Sequence, residues 1–409
     1  HLTTRPSSMP NTPTPSRPSR APSRASADGT RIGDGWGSRR AYRCQCGRPV
    51  FFQNSVCLAC GTPLGFEPRR ASVVSLSPGV EPGSWRLFGD ASADGPVYQN
   101  CGNLDTPAGC NWLVEREAVI GGSWQGARPL CVACRLNRTI PNLRDPRSGE
   151  LWRKTEAAKW RMVSQLLGLG LPVRSRIGED PQRGLAFDFL RPDPGGPRIV
   201  TGHHDGLITL NVEEADDAKR EAIRAEMREP YRTLLGHLRH EVGHYYWDRL
   251  VAGSAWLEPF RQLFGDERQD YAGSLQRHYA QGPAADWPLH HVSAYASSHP
   301  WEDWAETWAH YLHIVDTLET ALSFGIDPIE VQLDYEAFDA DALYRPDDRD
   351  ATRFLALVNG WSELAGVLNE LSRSMGLQDF YPFVLSRDVV GKLQFVHLVV
   401  RAAALGEIA

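Results

Sequence analysis

The sequence predicts an α+β fold in two folded parts: a domain of short strands and cysteine knuckles, then a mainly helical domain that carries a small sheet. Three observations predict it. All eight cysteines fall between Cys44 and Cys134, and none occurs after that. Eleven of the thirteen histidines lie between His203 and His313. From Leu151 onward the apolar residues take up helical spacing, interrupted by one stretch of β-branched alternation.

With 409 residues, 42% of them hydrophobic and 23% charged, the chain can bury a substantial core. Its net charge of −6 is uneven, since residues 1–40 hold seven Arg against two Asp. The body is therefore more acidic than the total suggests. That weighs against a nucleic-acid or membrane-surface partner, because a phosphate-binding face concentrates Lys and Arg. No apolar run approaches the roughly 18–20 residues needed to cross a bilayer.

Taken in order, residues 1–40 read as a disordered leader, with six Pro, seven Ser and almost no apolar side chains. The chain opens on His1, and Met9 is a candidate native start. The leader shows no signal-peptide core, so a cytoplasmic location is expected. Residues 41–145 carry short apolar runs such as Val50-Phe51-Phe52 between Gly, Pro and Asn, a pattern of small strands, with Val50–Gln53 as one of them. Residues 146–409 form the second domain. A helix with Trp152, Thr155, Met162 and Leu166 on its face ends at Gly168 and Gly170. Strands are expected at Gly184–Leu190, Arg198–Gly202 and Leu207–Val212. Helices follow at Ala215–Arg228 and about Tyr231–Val251. Residues 255–295 show weak periodicity. Further helices are expected at Pro300–Leu318, Asp350–Met375 and Ser386–Ala402.

Cysteines crowded at CxC and CxxC spacings in an unsecreted chain suggest metal rather than disulfides. Cys44-x-Cys46 and Cys57-x-x-Cys60 form two knuckles whose four thiolates suit tetrahedral zinc. The second set is Cys101, Cys110, Cys131 and Cys134; the eight residues between Cys101 and Cys110 depart from an ordinary knuckle. Buried free thiols or a redox pair are the alternative. A four-sulfur site has no open coordination position, so up to two structural zinc ions are expected here. Residues 41–150 hold eleven Arg, no Lys and nine acidic residues, too balanced for a nucleic-acid face. Phe51, Phe52, Trp85, Trp112 and Trp124 are core or a surface for a protein partner.

The sharpest signal is His240-Glu241-Val242-Gly243-His244. On a helix His240 and His244 lie one turn apart on one face, spaced to hold one Zn²⁺, with Glu241 placed to take a proton from water beside it. Leu234, Leu235, Leu238, Tyr245, Tyr246 and Trp247 flank the motif as a core helix would. Two histidines leave the ion short of a ligand. Downstream, Pro300 opens a helix on which Glu302 and Glu306 are one turn apart, opposite a stripe of Trp301, Trp304, Ala305, Trp308 and Leu312. One carboxylate would ligate and the other accept a hydrogen bond from a ligating His. His299, His310 and His313 are rival ligands.

At these residues the chain resembles a family of bacterial zinc-binding metallopeptidases with an N-terminal zinc-ribbon domain. The resemblance covers about residues 42–405. It rests on Cys44-Gln-Cys46-Gly, Cys57-Leu-Ala-Cys60-Gly, Cys110-Asn-Trp, Cys131-Val-Ala-Cys134-Arg-Leu-Asn-Arg-Thr-Ile-Pro141, Arg239-His-Glu-Val-Gly-His-Tyr-Tyr-Trp-Asp248 and His299-Pro-Trp-Glu-Asp-Trp-Ala-Glu-Thr-Trp-Ala-His-Tyr311. It implies tandem zinc ribbons followed by a zincin-like domain that hydrolyses protein or peptide substrates.

The Glu302–Glu306 segment also looks like the third-ligand helix of the wider HExxH-plus-Glu (gluzincin) class, which includes thermolysin and anthrax lethal factor. The likeness implies Glu302 as ligand, Glu306 as support for a zinc-bound His, and Tyr295, seven residues before Glu302, as the phenol that stabilises the tetrahedral intermediate. It also makes Leu207–Val212 a candidate edge strand for holding extended substrate. The long gap between His244 and Glu302 departs from the class. Two other readings are a non-catalytic adaptor with a structural zinc at the HExxH motif, and a protease targeted to nucleic-acid-bound proteins.

Overall fold

Short hairpins joined by knuckles build the Cys-rich part. In the computed structural model, which describes residues 40–408 apart from 91, 93–94, 117–127, 194, 198 and 228–232, strands β1 (Tyr42–Arg43) and β2 (Pro49–Val50) pair antiparallel around the first knuckle. The expected leader, except Arg40, and Trp124 lie outside the described residues. The second knuckle leads into a five-stranded antiparallel sheet: β3 (Leu64–Glu67), β4 (Ser72–Pro78), β5 (Trp85–Leu87), β6 (Tyr98–Asn100) and β7 (Leu113–Glu115). Phe52, Phe66 and Trp112 fill its interior, with the Phe66 and Trp112 rings 4.5 Å apart; Phe51 stays exposed.

The Cys-rich segment lends one strand to the second part. Strand β8 (Asn137–Thr139), three residues past Cys134, pairs parallel with β9 (Ala186–Leu190). Between them runs α1 (Pro146–Gly168). It starts five residues earlier than the apolar pattern does, because Asp145 caps the amides of Arg147 and Ser148 and Pro146 occupies the first turn. Next come β10 (Gly202–His204) and β11 (Leu207–Asn211), giving a sheet of order β10-β11-β9-β8 in which only the β10–β11 pair is antiparallel.

This order corrects the expectation for Leu207–Val212. The β11 strand is internal, hydrogen-bonded on both sides, and its alternation comes from burying Ile208 and Leu210. The edges are β8 and β10, and β10 shares only Gly202 with the expected Arg198–Gly202 strand. Alternation reports which faces are buried, not who the neighbours are.

The remaining helices are α2 (Asp217–Met227), α3 (Leu234–Tyr246), α4 (Leu257–Phe264), α5 (Tyr271–Gln281), α6 (Trp287–His290), α7 (Pro300–Ser323), α8 (Ala351–Ser374) and α9 (Arg387–Ala404). Weak periodicity over 255–295 thus conceals α4, α5 and α6; α5 buries only Ser274 fully, so it has no apolar stripe to detect.

Helices α3 and α7 form the centre. Gly243 makes their approach close: a Cβ there would sit 3.1 Å from Cα of Ala305 and 3.2 Å from Cδ1 of Trp308. Nε1 of Trp304 donates to the Gly243 carbonyl at 2.8 Å. A buried ionic cluster sets the register, with Arg239 of α3, Arg161 of α1 and Arg40 all paired to Asp316 of α7. One continuous hydrophobic core runs from Tyr42 and Trp112 through Trp152 and Trp308 to Val400.

Candidate metal centres

All eight cysteines are free thiols gathered into two groups of four. In the first, Sγ of Cys44 lies 3.6 Å from that of Cys60, and Cys46 lies 3.8 Å from Cys57. In the second, Cys110 and Cys131 are 3.8 Å apart. A disulfide would need about 2.05 Å. Four sulfurs around zinc, each bond about 2.3 Å, stand roughly 3.8 Å from one another. The donor sets fit the ion.

The irregular spacing of the second group has a local cause. A 3₁₀ turn, Gly102–Asp105, takes up the residues after Cys101, and the Cys110 amide donates to the Asn103 carbonyl at 3.1 Å. Backbone amides of Cys131 and Cys134 point at the sulfurs of Cys101 and Cys131, each at 3.4 Å. The groups differ in exposure. Cys46 and Cys60 reach the surface, whereas all four of the second group are buried.

The third group joins α3 to α7. Nε2 of His240 lies 3.0 Å from Oε2 of Glu302, and Nε2 of His244 lies 3.5 Å from Oε1. Glu302 is 1% exposed. Nδ1 of His240 donates to Oε1 of Glu306 at 2.7 Å, and Ser293 donates to the other oxygen at 2.6 Å. With a proton on Nδ1 for Glu306, His240 would have Nε2 left to ligate a cation held between it and the Glu302 carboxylate. Nε2 of both imidazoles and the Glu302 carboxylate converge in one buried place, and two imidazoles with one carboxylate suit zinc. Burial would raise the pKa of Glu306, but the hydrogen bond to His240 holds it at about 2.

Glu241 is 5% exposed beside this group, outside the three donors. Its Oε1 lies 3.2 Å from Nε2 of His237, whose Nδ1 lies 2.7 Å from Oε2 of Glu214. Burial alone would lower the pKa of His237; the two carboxylates raise it to about 9. Tyr295 stands in a 3₁₀ turn ahead of α7, its ring 5.9 Å from that of His240. Burial and the Glu302 charge keep its phenol protonated.

The three rival histidines are engaged elsewhere. His299 caps α7 through Nδ1, accepting from the Trp301 amide at 3.1 Å. Nδ1 of His310 lies 2.5 Å from the Tyr381 hydroxyl, and Nδ1 of His313 lies 2.7 Å from a nitrogen of Arg239.

Two neighbours escape the sequence reading. Tyr271, at the start of α5, donates its phenol to Oε1 of Glu302 at 2.6 Å. It sits in the segment without periodicity, and nothing in the pattern marks it. His237 did carry a signal, since it stands one helical turn before Glu241.

Comparisons with known proteins agree with this arrangement. No solved structure matches the chain. Uncharacterized proteins of Mycobacterium tuberculosis and Mycobacterium bovis are 40% identical over 367 residues, covering 89% of this chain and 96% of theirs. Residues 41–145 match a zinc-ribbon domain family. Residues 148–399 match the family described as "Putative zinc-binding metallo-peptidase", and it is to this family that the chain belongs.

Proposed function

We propose that the chain is a zinc-dependent peptidase, with His240, His244 and Glu302 holding the ion and Glu241 as general base. The observation that carries this reading is a division of labour among four buried carboxylate and imidazole side chains. Three point donors at one another, while the fourth, Glu241, is buried where it interacts electrostatically with His240 and His244 but stands outside the donor set. Zinc bound there would polarise the scissile carbonyl and make a water acidic enough to attack at neutral pH.

The protein's own groups account for the rest. Glu241 takes the proton of the attacking water and returns it to the leaving amine. Glu306, fixed by Ser293, holds His240 in the tautomer that ligates. Tyr295 donates to the carbonyl oxygen as its charge develops. Strand β10, free on one side, offers backbone groups to an extended protein or peptide substrate. It adjoins the centre, since the ring of His203 on β10 stacks 6.2 Å from that of His244. The eight cysteines hold two further zinc ions in closed, structural sites.

The test is to incubate zinc-loaded wild type and the Glu241→Gln variant with a proteome-derived peptide library and sequence the new termini. Wild type should generate termini that Glu241→Gln lacks by several orders of magnitude in rate, with zinc content equal. Equal cleavage by both proteins would reject Glu241 as the base.

A further inference from the structure

The base of a zinc peptidase has to present one carboxylate oxygen in one place, and here the structure supplies the device that would do it. Glu241 belongs to a chain of buried hydrogen-bonding groups. Nε2 of His237 lies 3.2 Å from Oε1 of Glu241. Nδ1 of the same ring lies 2.7 Å from Oε2 of Glu214. The other oxygen of Glu214 accepts from the hydroxyl of Thr201, the residue preceding β10. The side chains of His237, Glu214 and Glu241 are 18%, 8% and 6% exposed.

The chemistry of the donors sets what this chain can do. Carboxylates only accept, so an imidazole engaged by one at each nitrogen donates at both. Charge-assisted bonds of this kind are about twice as strong as neutral ones and fix orientation. His237 and Glu241 are one turn apart on α3, and neither a helical spacing nor a rotamer alone would hold the Glu241 carboxylate against rotation. Glu214 lies on the short turn Val212–Ala215 after β11, so the tie that holds His237 comes from outside the helix.

We propose that His237, buttressed by Glu214, is a positioning residue for Glu241: it clamps one carboxylate oxygen and leaves the other to face the attacking water. The inference rests on Glu241 being the base. His237 is not one of the three donors of the metal centre, and its ring lies edge-on to that of His240 with centroids 6.5 Å apart. Through Thr201, the same buttress is anchored next to the edge strand on which substrate would lie.

The experiment separates the contact to Glu241 from the contact to Glu214. The amide nitrogen of Gln reaches where Nε2 of His stands, and that of Asn where Nδ1 stands. His237→Gln therefore keeps the bond to Glu241, and His237→Asn keeps only the bond to Glu214. The probe is acetohydroxamate, which chelates zinc and gives up its acidic proton to a well-placed carboxylate. Its dissociation constant is measured by calorimetry on the zinc-loaded full chain, beside zinc content and circular dichroism. Wild type should bind it, and Glu241→Gln should bind at least tenfold more weakly. His237→Asn should match Glu241→Gln, while His237→Gln, which keeps the clamp on Glu241 but loses the Glu214 buttress, should bind more tightly than Glu241→Gln and less tightly than wild type.

Several results would overturn the proposal. If folded, zinc-loaded His237→Asn binds like wild type, or folded His237→Gln binds no more tightly than Glu241→Gln, His237 does not act through Glu241. Should His237→Asn fail to fold, the His237→Gln result decides alone. If zinc-loaded wild type fails to bind the probe, or Glu241→Gln binds it equally well, the reading of Glu241 as base falls first and takes this inference with it.

Discussion

Two phenols flank the candidate centre, and their positions assign them different work. Tyr271 donates to Oε1 of Glu302, so it shapes the carboxylate that would hold the metal. Tyr295 lies with its ring 5.9 Å from His240, in the turn that delivers the chain to α7. Tyr271→Phe should weaken zinc affinity by roughly 10–100-fold, the cost of losing a partner of a ligand, measured by competition with a chelator of known affinity. Tyr295→Phe should hold zinc as tightly as wild type, leave KM nearly unchanged, and lower kcat by roughly 10²–10³. If the two effects are exchanged, the oxyanion role passes to Tyr271. Of these residues the sequence displayed only Tyr295, and only through a likeness in spacing. A phenol that reaches the site from a surface helix has no periodicity to announce it. The motif itself was legible, because a turn of helix converts HExxH directly into a geometry.

Close packing of α3 on α7 turns two sequence motifs into one site. Gly243 sits between the two histidines at the point where the helices nearly touch, and a Cβ would meet backbone of Ala305 at 3.1 Å. Two effects oppose each other in Gly243→Ala. Ala favours the helix by about 1 kcal/mol. Overpacking costs about 1–3 kcal/mol and pushes α7 outward. The net loss of stability should therefore be small, within about 2 kcal/mol by denaturant titration, while zinc affinity at the His/Glu centre falls tenfold or more as Glu302 moves away. Unchanged zinc affinity would show that the helices tolerate the methyl group. Both helices were readable from their apolar spacing, and so was the pairing of Glu302 with Glu306. The edge position of β10 was not. Strand order depends on pairing across the chain, and the alternation of Ile208 and Leu210 says only that one face of β11 is covered. The start of α1 was missed for a different reason: its first turn is polar and is held by Asp145 rather than by a core.

At the scale of the molecule, the Cys-rich segment is built into the helical part rather than hung from it. It supplies β8 to the mixed sheet, and Arg40, just ahead of it, pairs with Asp316 at the heart of α7. Sγ of Cys134 lies 3.8 Å from the buried carboxylate of Glu156 on α1, which itself bonds Lys159 at 2.8 Å. The second sulfur site therefore sits against the core, while the first has two sulfurs at the surface. An open three-donor site exchanges metal more readily than a closed four-donor one, so mild chelation should remove the ion from the His/Glu centre first. The measurement that tests the central claim most directly is zinc content per folded chain, by elemental analysis, in wild type and in Glu302→Ala. Three donor groups predict three ions in wild type and two in Glu302→Ala, with the fold retained in both. One ion or fewer in folded wild type, or three in folded Glu302→Ala, would contradict it.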